Sequence, residues 1–246
     1  MIEHSHATER VFLSAEWRDL AMLNYEITPE LLTPCVPSAT ELDSFNGKTF
    51  ISLVGFRFLR TKLFGFLPLP FHANFDEVNL RFYVRRQVGA TFRRGVVFIR
   101  EIVPRRAIAQ VARVFYGENY TSHPMRHSIT RNATGLSTEY QWRFNDEWCC
   151  LCAEASGVPA HPSEGSLEQF ITEHYWGYTA RPGRDSIEYH VTHIPWRVWT
   201  ATTACFDGDG DALYGRGFGE ILKRKPDTAF IVEGSPVTVS TGQHIR

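Results

Sequence analysis

Along most of the chain, apolar and polar residues alternate with a period of two, and the alternating runs are separated by clusters of Gly, Pro, Asn and Asp. That pattern predicts short, mostly antiparallel strands closing into a barrel or sandwich. The predicted strands are 20–26, 49–59, 75–86, 95–103, 137–145, 149–155, 187–193, 196–206 and 228–233, with a last one at 237–240. Helical spacing is confined to a few places. After Pro104, the residues Ile108, Val111, Ala112, Phe115 and Tyr116 recur on one face and Gly117 is placed to stop the helix. Ser166 with Gln169 makes a capping box ahead of Leu167, Phe170, Ile171, His174 and Tyr175, with Gly177 as the stop. A shorter turn starts at Thr28 and Pro29. The segments 119–132 and 156–165 read as loops, and no internal repeat interrupts the pattern, so one domain over 1–246 with a loose tail at 1–9 is expected.

The strand 75–86 separates its residues most sharply. Glu77, Asn79, Arg81, Tyr83 and Arg85 fall on one face, and Val78, Leu80, Phe82 and Val84 on the other. In a half-solvated sheet the polar face would lie in water. Turned inward, it would form a prearranged site for a small anionic or carbonyl-bearing ligand. The next strand carries Arg100 and Glu101 side by side, so one of the two charges must point to the buried side and needs a partner or a ligand there.

Composition narrows the classes. The chain has 246 residues, 43% of them hydrophobic, enough for a substantial core. A formal net charge of −1 provides no bulk field for nucleic acid or an anionic membrane, and no apolar run reaches the roughly 18 residues that span a bilayer. The five cysteines are an odd set without framework spacing, and the first residues lack the apolar stretch of a signal peptide, which points to a reducing, cytoplasmic home.

Strong catalytic signatures are missing. Ten histidines include no HExxH pair, and His190 and His193 face opposite ways on a strand, so no metal site is expected. Asp207, Asp209 and Asp211 fail the calcium-loop pattern, with Ala212 and Phe218 where Gly and Glu are required, and read instead as a hairpin connection. Gly215, Gly217 and Gly219 make no dinucleotide fingerprint, and no cofactor is implied. Cys149, Cys150 and Cys152 read as small hydrophobes, with Cys149 facing away from the other two. No GxSxG elbow occurs. The apolar segment 63–71, broken by Gly65, Pro68 and Pro70, reads as a loop that covers a cavity rim or a subunit contact, so a homo-oligomer is a possible assembly.

Taken together, WRDLAMLNYEITPELLTPCVPSATELDSFNGKTFISLVGF, FDEVNLRFYV, FITEHYWGYT and HIPWRVW resemble the uncharacterised bacterial YqjF-like family, grouped with the acetoacetate decarboxylase-like superfamily. The resemblance implies a mostly β (α+β) fold, a curved, largely antiparallel sheet forming a cone or barrel around a ligand cavity with a few outer helices. In true acetoacetate decarboxylases a Schiff-base lysine follows a Gly-Arg-Glu strand and a proline. By resemblance Arg100 and Glu101 match the Arg-Glu pair and Pro104 the proline, but Arg105 and Arg106 stand at the lysine positions. Arg18 and Glu77 are similar in placement to the family's arginine and glutamate. A guanidinium with a pKa above about 12 stays protonated and cannot be the nucleophile. The four lysines, Lys48, Lys62, Lys223 and Lys225, lie outside the apolar strands.

Three readings follow. The first is a small-molecule-binding barrel, with Arg18, Glu77, Asn79 and Arg81 at the polar end, Tyr83 and Trp196 as walls, and Glu101 and His193 as further ligand contacts. The second is a lyase or isomerase without a covalent intermediate, with Glu77 as acid or base and Arg18 or Arg105 stabilising an enolate. The third is an interaction protein that dimerises through 63–71.

Overall fold

The computed structural model describes residues 10–68, 72–181 and 185–246. The tail at 1–9 and the end of the apolar segment, 69–71, lie outside the described residues. In chain order the strands are β1 (Val11–Ile27), β2 (Glu41–Leu42), β3 (Thr49–Leu63), β4 (Leu67–Pro68), β5 (Phe75–Val88), β6 (Thr91–Val103), β7 (Tyr120–Ser122), β8 (Met125–Arg131), β9 (Gly135–Phe144), β10 (Glu147–Ser156), β11 (Trp176–Thr179), β12 (Ser186–Thr192), β13 (Val198–Asp207), β14 (Thr228–Ser240) and β15 (Gln243–Ile245). The helices are α1 (Pro29–Leu32), α2 (Arg106–Tyr116), α3 (Leu167–Thr172), α4 (Gly210–Tyr214) and α5 (Phe218–Leu222).

The strand pairings return on themselves. β1 pairs β3, β3 pairs β5, β5 pairs β6, β6 pairs β11, β11 pairs β12, β12 pairs β14, and β14 pairs β1. Each of these pairs is antiparallel except β6–β11, so the curved sheet is mixed where alternation alone suggested antiparallel. The ladder then continues from β14 through β13, β10, β9 and β8, and this extension packs back across the outer face of β1, β3 and β5. Gly55 permits that approach, since a Cβ there would lie 2.6 Å from Leu151 Cδ2 and 2.7 Å from the Tyr140 ring.

β5 is therefore buried on both sides, which corrects the half-solvated alternative. Val78, Leu80, Phe82 and Val84 join the core under β9 and β10, with Tyr140, Trp142 and Leu151. A second core, containing Phe56, Phe58, Phe75, Val96 and Trp196, lies on the inner side of the sheet.

Local chemistry accounts for most boundaries. Gly117 ends α2 in a left-handed conformation with φ 70°, and Ser166 caps α3 by accepting from Gln169 N at 3.2 Å. α3 stops at Thr172, well before Gly177. Two expectations are corrected outright. The segment 119–132 contains β7 and β8, and the acidic run after β13 starts a pair of short helices in place of a hairpin. Asp209 caps α4 by accepting from Ala212 N, and Asp211 Oδ1 accepts from Gly217 N and Gly219 N at 2.9 and 2.7 Å. Of the three neighbouring cysteines, Cys149 joins the core while Cys150 and Cys152 are half-buried, consistent with their opposite faces. Phe64, Phe66 and Leu67 in the apolar segment are exposed. Among the described residues no helix is long and apolar enough to cross a membrane.

Gly177 sits inside β11, where the Tyr189 ring of β12 crosses it so closely that a Cβ would fall 2.1 Å from the ring. We expect Gly177→Ala to lower the unfolding free energy by about 3 kcal/mol, the upper range for overpacking a tight site, measured by urea denaturation. An unchanged midpoint would mean that Tyr189 is free to move aside.

Candidate functional site

A cavity of about 180 Å³ opens on the inner side of the sheet. Every strand of the closed circuit contributes to its wall: Trp17 from β1, Phe56 from β3, Glu77, Asn79 and Arg81 from β5, Val96, Phe98 and Glu101 from β6, Trp176 from β11, Tyr189 from β12 and Val239 from β14. α2 covers it with Ala107, Ile108 and Val111, and the end of α3 adds Ile171, Thr172 and then His174.

Strand alternation alone aims Glu77, Asn79 and Arg81 inward, but Glu101 needs an irregularity. Leu80 pairs with Arg100 and Arg81 with Phe98, so Ile99 is an extra residue on β6. This bulge reverses the alternation and brings Phe98 and Glu101 to the same face. Asn119 holds the bulge by donating from Nδ2 to Ile99 O at 3.0 Å, while its carbonyl accepts from Glu101 N at 3.1 Å. The same contact places Glu118 and Tyr120 beside Glu101, which is paired with Tyr120 in the parallel β6–β7 ladder.

Three carboxyl groups thus share one end of the cavity. Glu77 accepts from Asn79 Nδ2 at 2.9 Å and from the Tyr120 hydroxyl at 3.1 Å. Glu118 accepts from the Tyr189 and Thr179 hydroxyls. Glu101 Oε2 is buried without a hydrogen-bond partner. Burial pushes Glu77 up to about 8, against the Asn79 hydrogen bond and with the Glu118 charge adding to the rise. Burial likewise pushes Glu118 up to about 7, opposed by its hydroxyl donors. Glu101 is held well above the usual carboxylate range by burial and then by the charges of Glu118 and Glu77, against a hydrogen bond from Tyr120, so it keeps its proton at neutral pH, where Glu77 is largely protonated as well.

The other end is cationic. Arg81 is buried, with 8% of its surface exposed, and is the single Lys or Arg among the described residues lining the cavity. It forms no ion pair or hydrogen bond with a described residue: Nε has no partner, and the guanidinium carbon lies 5.9 Å from the Tyr83 ring centre. Two imidazoles stand near it. His193 donates from Nδ1 to Ile194 O at 2.8 Å and stacks on Trp196 at 3.9 Å between ring centres. His174 Nε2 lies 3.4 Å from an Asp43 carboxylate oxygen. Burial lowers both histidines to about 4, and Arg81 adds to the depression, so neither carries charge at neutral pH.

Of the residues singled out in the sequence, Glu77, Asn79, Arg81, Glu101, His193 and Trp196 line this cavity. Three do not. Arg18 follows Trp17 on β1 and so points to the opposite face, where it pairs with Glu16 at 3.0 Å and donates to Gly234 O. Arg105 is exposed ahead of α2, because Ala107 and Val111, one turn apart, form the helix stripe that meets the cavity. Tyr83 is buried behind the wall, bonded to the Ser52 hydroxyl at 2.5 Å and packed on His174 at 4.7 Å, so it supports the histidine and does not form the surface. Sequence reasoning missed Trp17, Glu118, Tyr120 and His174. Alternation around Phe56 and Phe58 was a usable signal for the aromatic wall, but nothing local announced Glu118. None of the four lysines lines the cavity.

The fold and cavity define a class: the chain has the acetoacetate decarboxylase-like fold. Acetoacetate decarboxylase from Legionella pneumophila subsp. pneumophila str. Philadelphia 1 superposes with a TM-score of 0.65 at 12% identity, covering 99% of this chain and 94% of that one. The enduracididine biosynthesis enzyme MppR in complex with pyruvate gives 0.65 at 11% identity, covering 98% and 93%. An acetoacetate decarboxylase-like enzyme from Sphingomonas wittichii RW1 gives 0.64 at 10%, covering 100% and 98%. Within that class, the sequence profile of DUF2071, described as an uncharacterized conserved protein, matches residues 14–236, and the chain belongs to this family. It is 27% identical to the uncharacterized protein YqjF of Bacillus subtilis (strain 168) over 189 residues, 75% of this chain and 74% of that protein.

The carboxyl cluster has a consequence for stability. A glutamate whose folded pKa is raised binds its proton more tightly when folded, so stability is greatest below the ordinary range and is lost as pH rises through the folded value. For Glu77 that window runs from 4.5 to about 8. We expect Glu101→Gln to flatten the decline of the urea midpoint across this window. A slope equal to that of the parent chain would show that Glu101 ionises freely.

Proposed function

We propose that this chain binds a small molecule bearing a carboxylate or carbonyl group in the cavity of its closed sheet. The observation that carries this reading is Arg81, a buried guanidinium that forms no ion pair with a described residue. Leaving a buried charge unpaired costs several kcal/mol. A ligand carboxylate would offset that cost through paired, charge-assisted hydrogen bonds. Glu101, protonated and with an unpartnered oxygen, is suited to donate to a carbonyl, and Asn79 Oδ1 is a further unpartnered atom on the same wall. The pyruvate in the similarly folded MppR complex has the chemistry this arrangement would hold. The odd cysteine set supports a cytoplasmic setting.

A second reading, an enzyme working by acid–base chemistry without a covalent intermediate, is supported by the Glu77–Tyr120 contact beside protonated Glu101. In it Glu77, ionised as pH rises through about 8, takes a proton from carbon next to the ligand carbonyl and Arg81 steadies the resulting oxyanion. A Schiff base would need an amine at the cavity wall, and the described lining residues include no lysine.

The binding reading is checked by thermal unfolding with millimolar pyruvate, hexanoate and benzoate. A ligand at a hundred times its Kd adds about 2.7 kcal/mol, or roughly 5–10 °C for a chain of this size. At least one carboxylate should raise Tm by that order. Arg81→Met should lose the response while matching or exceeding the parent's stability without ligand. A flat response to all three would sink the proposal.

A further inference from the structure

We propose that the ligand is an aromatic monocarboxylate whose ring carries a hydrogen-bond acceptor, a specification that rests on the carboxylate-binding reading above. Away from its polar ends the cavity is bounded by a continuous set of rings. Phe58 stacks on Phe75 at 4.6 Å, Phe56 meets Phe58 at 5.1 Å, and Trp17 meets Phe56 and Phe58 edge-on at 5.4 and 5.7 Å. Trp196 lies 6.2 Å from Trp17 and carries the series to His193, next to Arg81. All of these rings border the cavity. Such a wall favours a flat apolar body through offset and edge-to-face contacts, whereas a sugar or polyol would leave its hydroxyls unbonded there.

Size and charge narrow the class further. The cavity of about 180 Å³ compares with the ~150 Å³ that accommodates a benzene molecule, so it holds one ring with a short tether. Arg81 is the single cation on the described wall, and the opposite end bears carboxyl groups. A second ligand carboxylate would therefore meet like charge or burial without a partner.

The ring substituent follows from Trp17. Its Nε1 is buried without a hydrogen-bond partner, and an indole nitrogen is a donor only. Within the aromatic wall, an acceptor on the ligand's far side, such as a phenolic oxygen, would satisfy it.

The test is isothermal titration of the full chain with 3-(4-hydroxyphenyl)propionate, 3-phenylpropionate, hexanoate, pyruvate and the uncharged 3-(4-hydroxyphenyl)propan-1-ol. The hydroxylated acid should bind at least tenfold more tightly than hexanoate, pyruvate or the alcohol. Trp17→Phe should bring the hydroxylated acid to the level of 3-phenylpropionate and leave the latter unchanged. Pyruvate or hexanoate binding as tightly as the aryl acids would overturn the aromatic assignment while leaving the carboxylate reading standing. An equal loss for both aryl acids in Trp17→Phe would overturn the role of the indole. Silence from every carboxylate would overturn the carboxylate reading itself.

Discussion

A guanidinium held in a poorly solvating interior without an adjacent carboxylate is unfavourable, and the cavity is organised around that charge. The contrast with neighbouring arginines is direct. Arg86 and Arg93 both pair with buried Glu188, and Arg94 pairs with Asp43 at 2.7 Å. Those arginines come from the same two strands, β5 and β6, as the cavity wall. Arg81 differs because the groups near its head include two neutral imidazoles and the Tyr83 ring, while Glu77, whose pKa its charge lowers, stands four residues back on β5 and accepts from Asn79 and Tyr120 instead. The fold tolerates this imbalance because β5 is anchored on its other face by a full apolar core.

That anchoring is a property of the closed ladder. Because β12 pairs with both β11 and β14, the wall strands form one connected ring of main-chain bonds. Two local irregularities tune the interior. The bulge at Ile99 turns Glu101 inward, and the bare face of Gly177 admits Tyr189, whose hydroxyl then reaches Glu118. Each is a backbone feature whose effect is felt as the position of a carboxyl group.

The resulting interior is electrically graded. Hydroxyl and amide donors oppose the rise of Glu77 and Glu118, while Glu101, with Tyr120 as its hydroxyl donor and Oε2 left unpartnered, is held furthest above the usual range by burial and by the charges of the other two. Three residues of one chemical type thus have different hydrogen-bonding roles, because the donors around them differ. A carbonyl next to Glu101 would meet a donor, and a carboxylate at Arg81 would meet a cation, so in the proposed binding mode the two ends would distinguish functional groups of one molecule.

Much of this was legible in the chain's own pattern. Alternation in β5 grouped Glu77, Asn79 and Arg81, the Arg100–Glu101 pair announced that one charge was buried, and the scarcity of lysine was visible by counting. These are one-strand properties, and a period of two is enough to read them. The same rule misled at Tyr83, which shares the face of Arg81 but is covered by α3, and the family resemblance misplaced Arg18 and Arg105, whose side chains turn away. Which face of β5 meets a cavity, which charge of the pair turns inward, and whether Glu118, Tyr120, His174 and Trp17 join them were decided by the tertiary structure. Those outcomes depend on a bulge, a parallel pairing and a ring closure between residues far apart in sequence, and no local periodicity encodes contacts made by strands that meet only after the chain has folded.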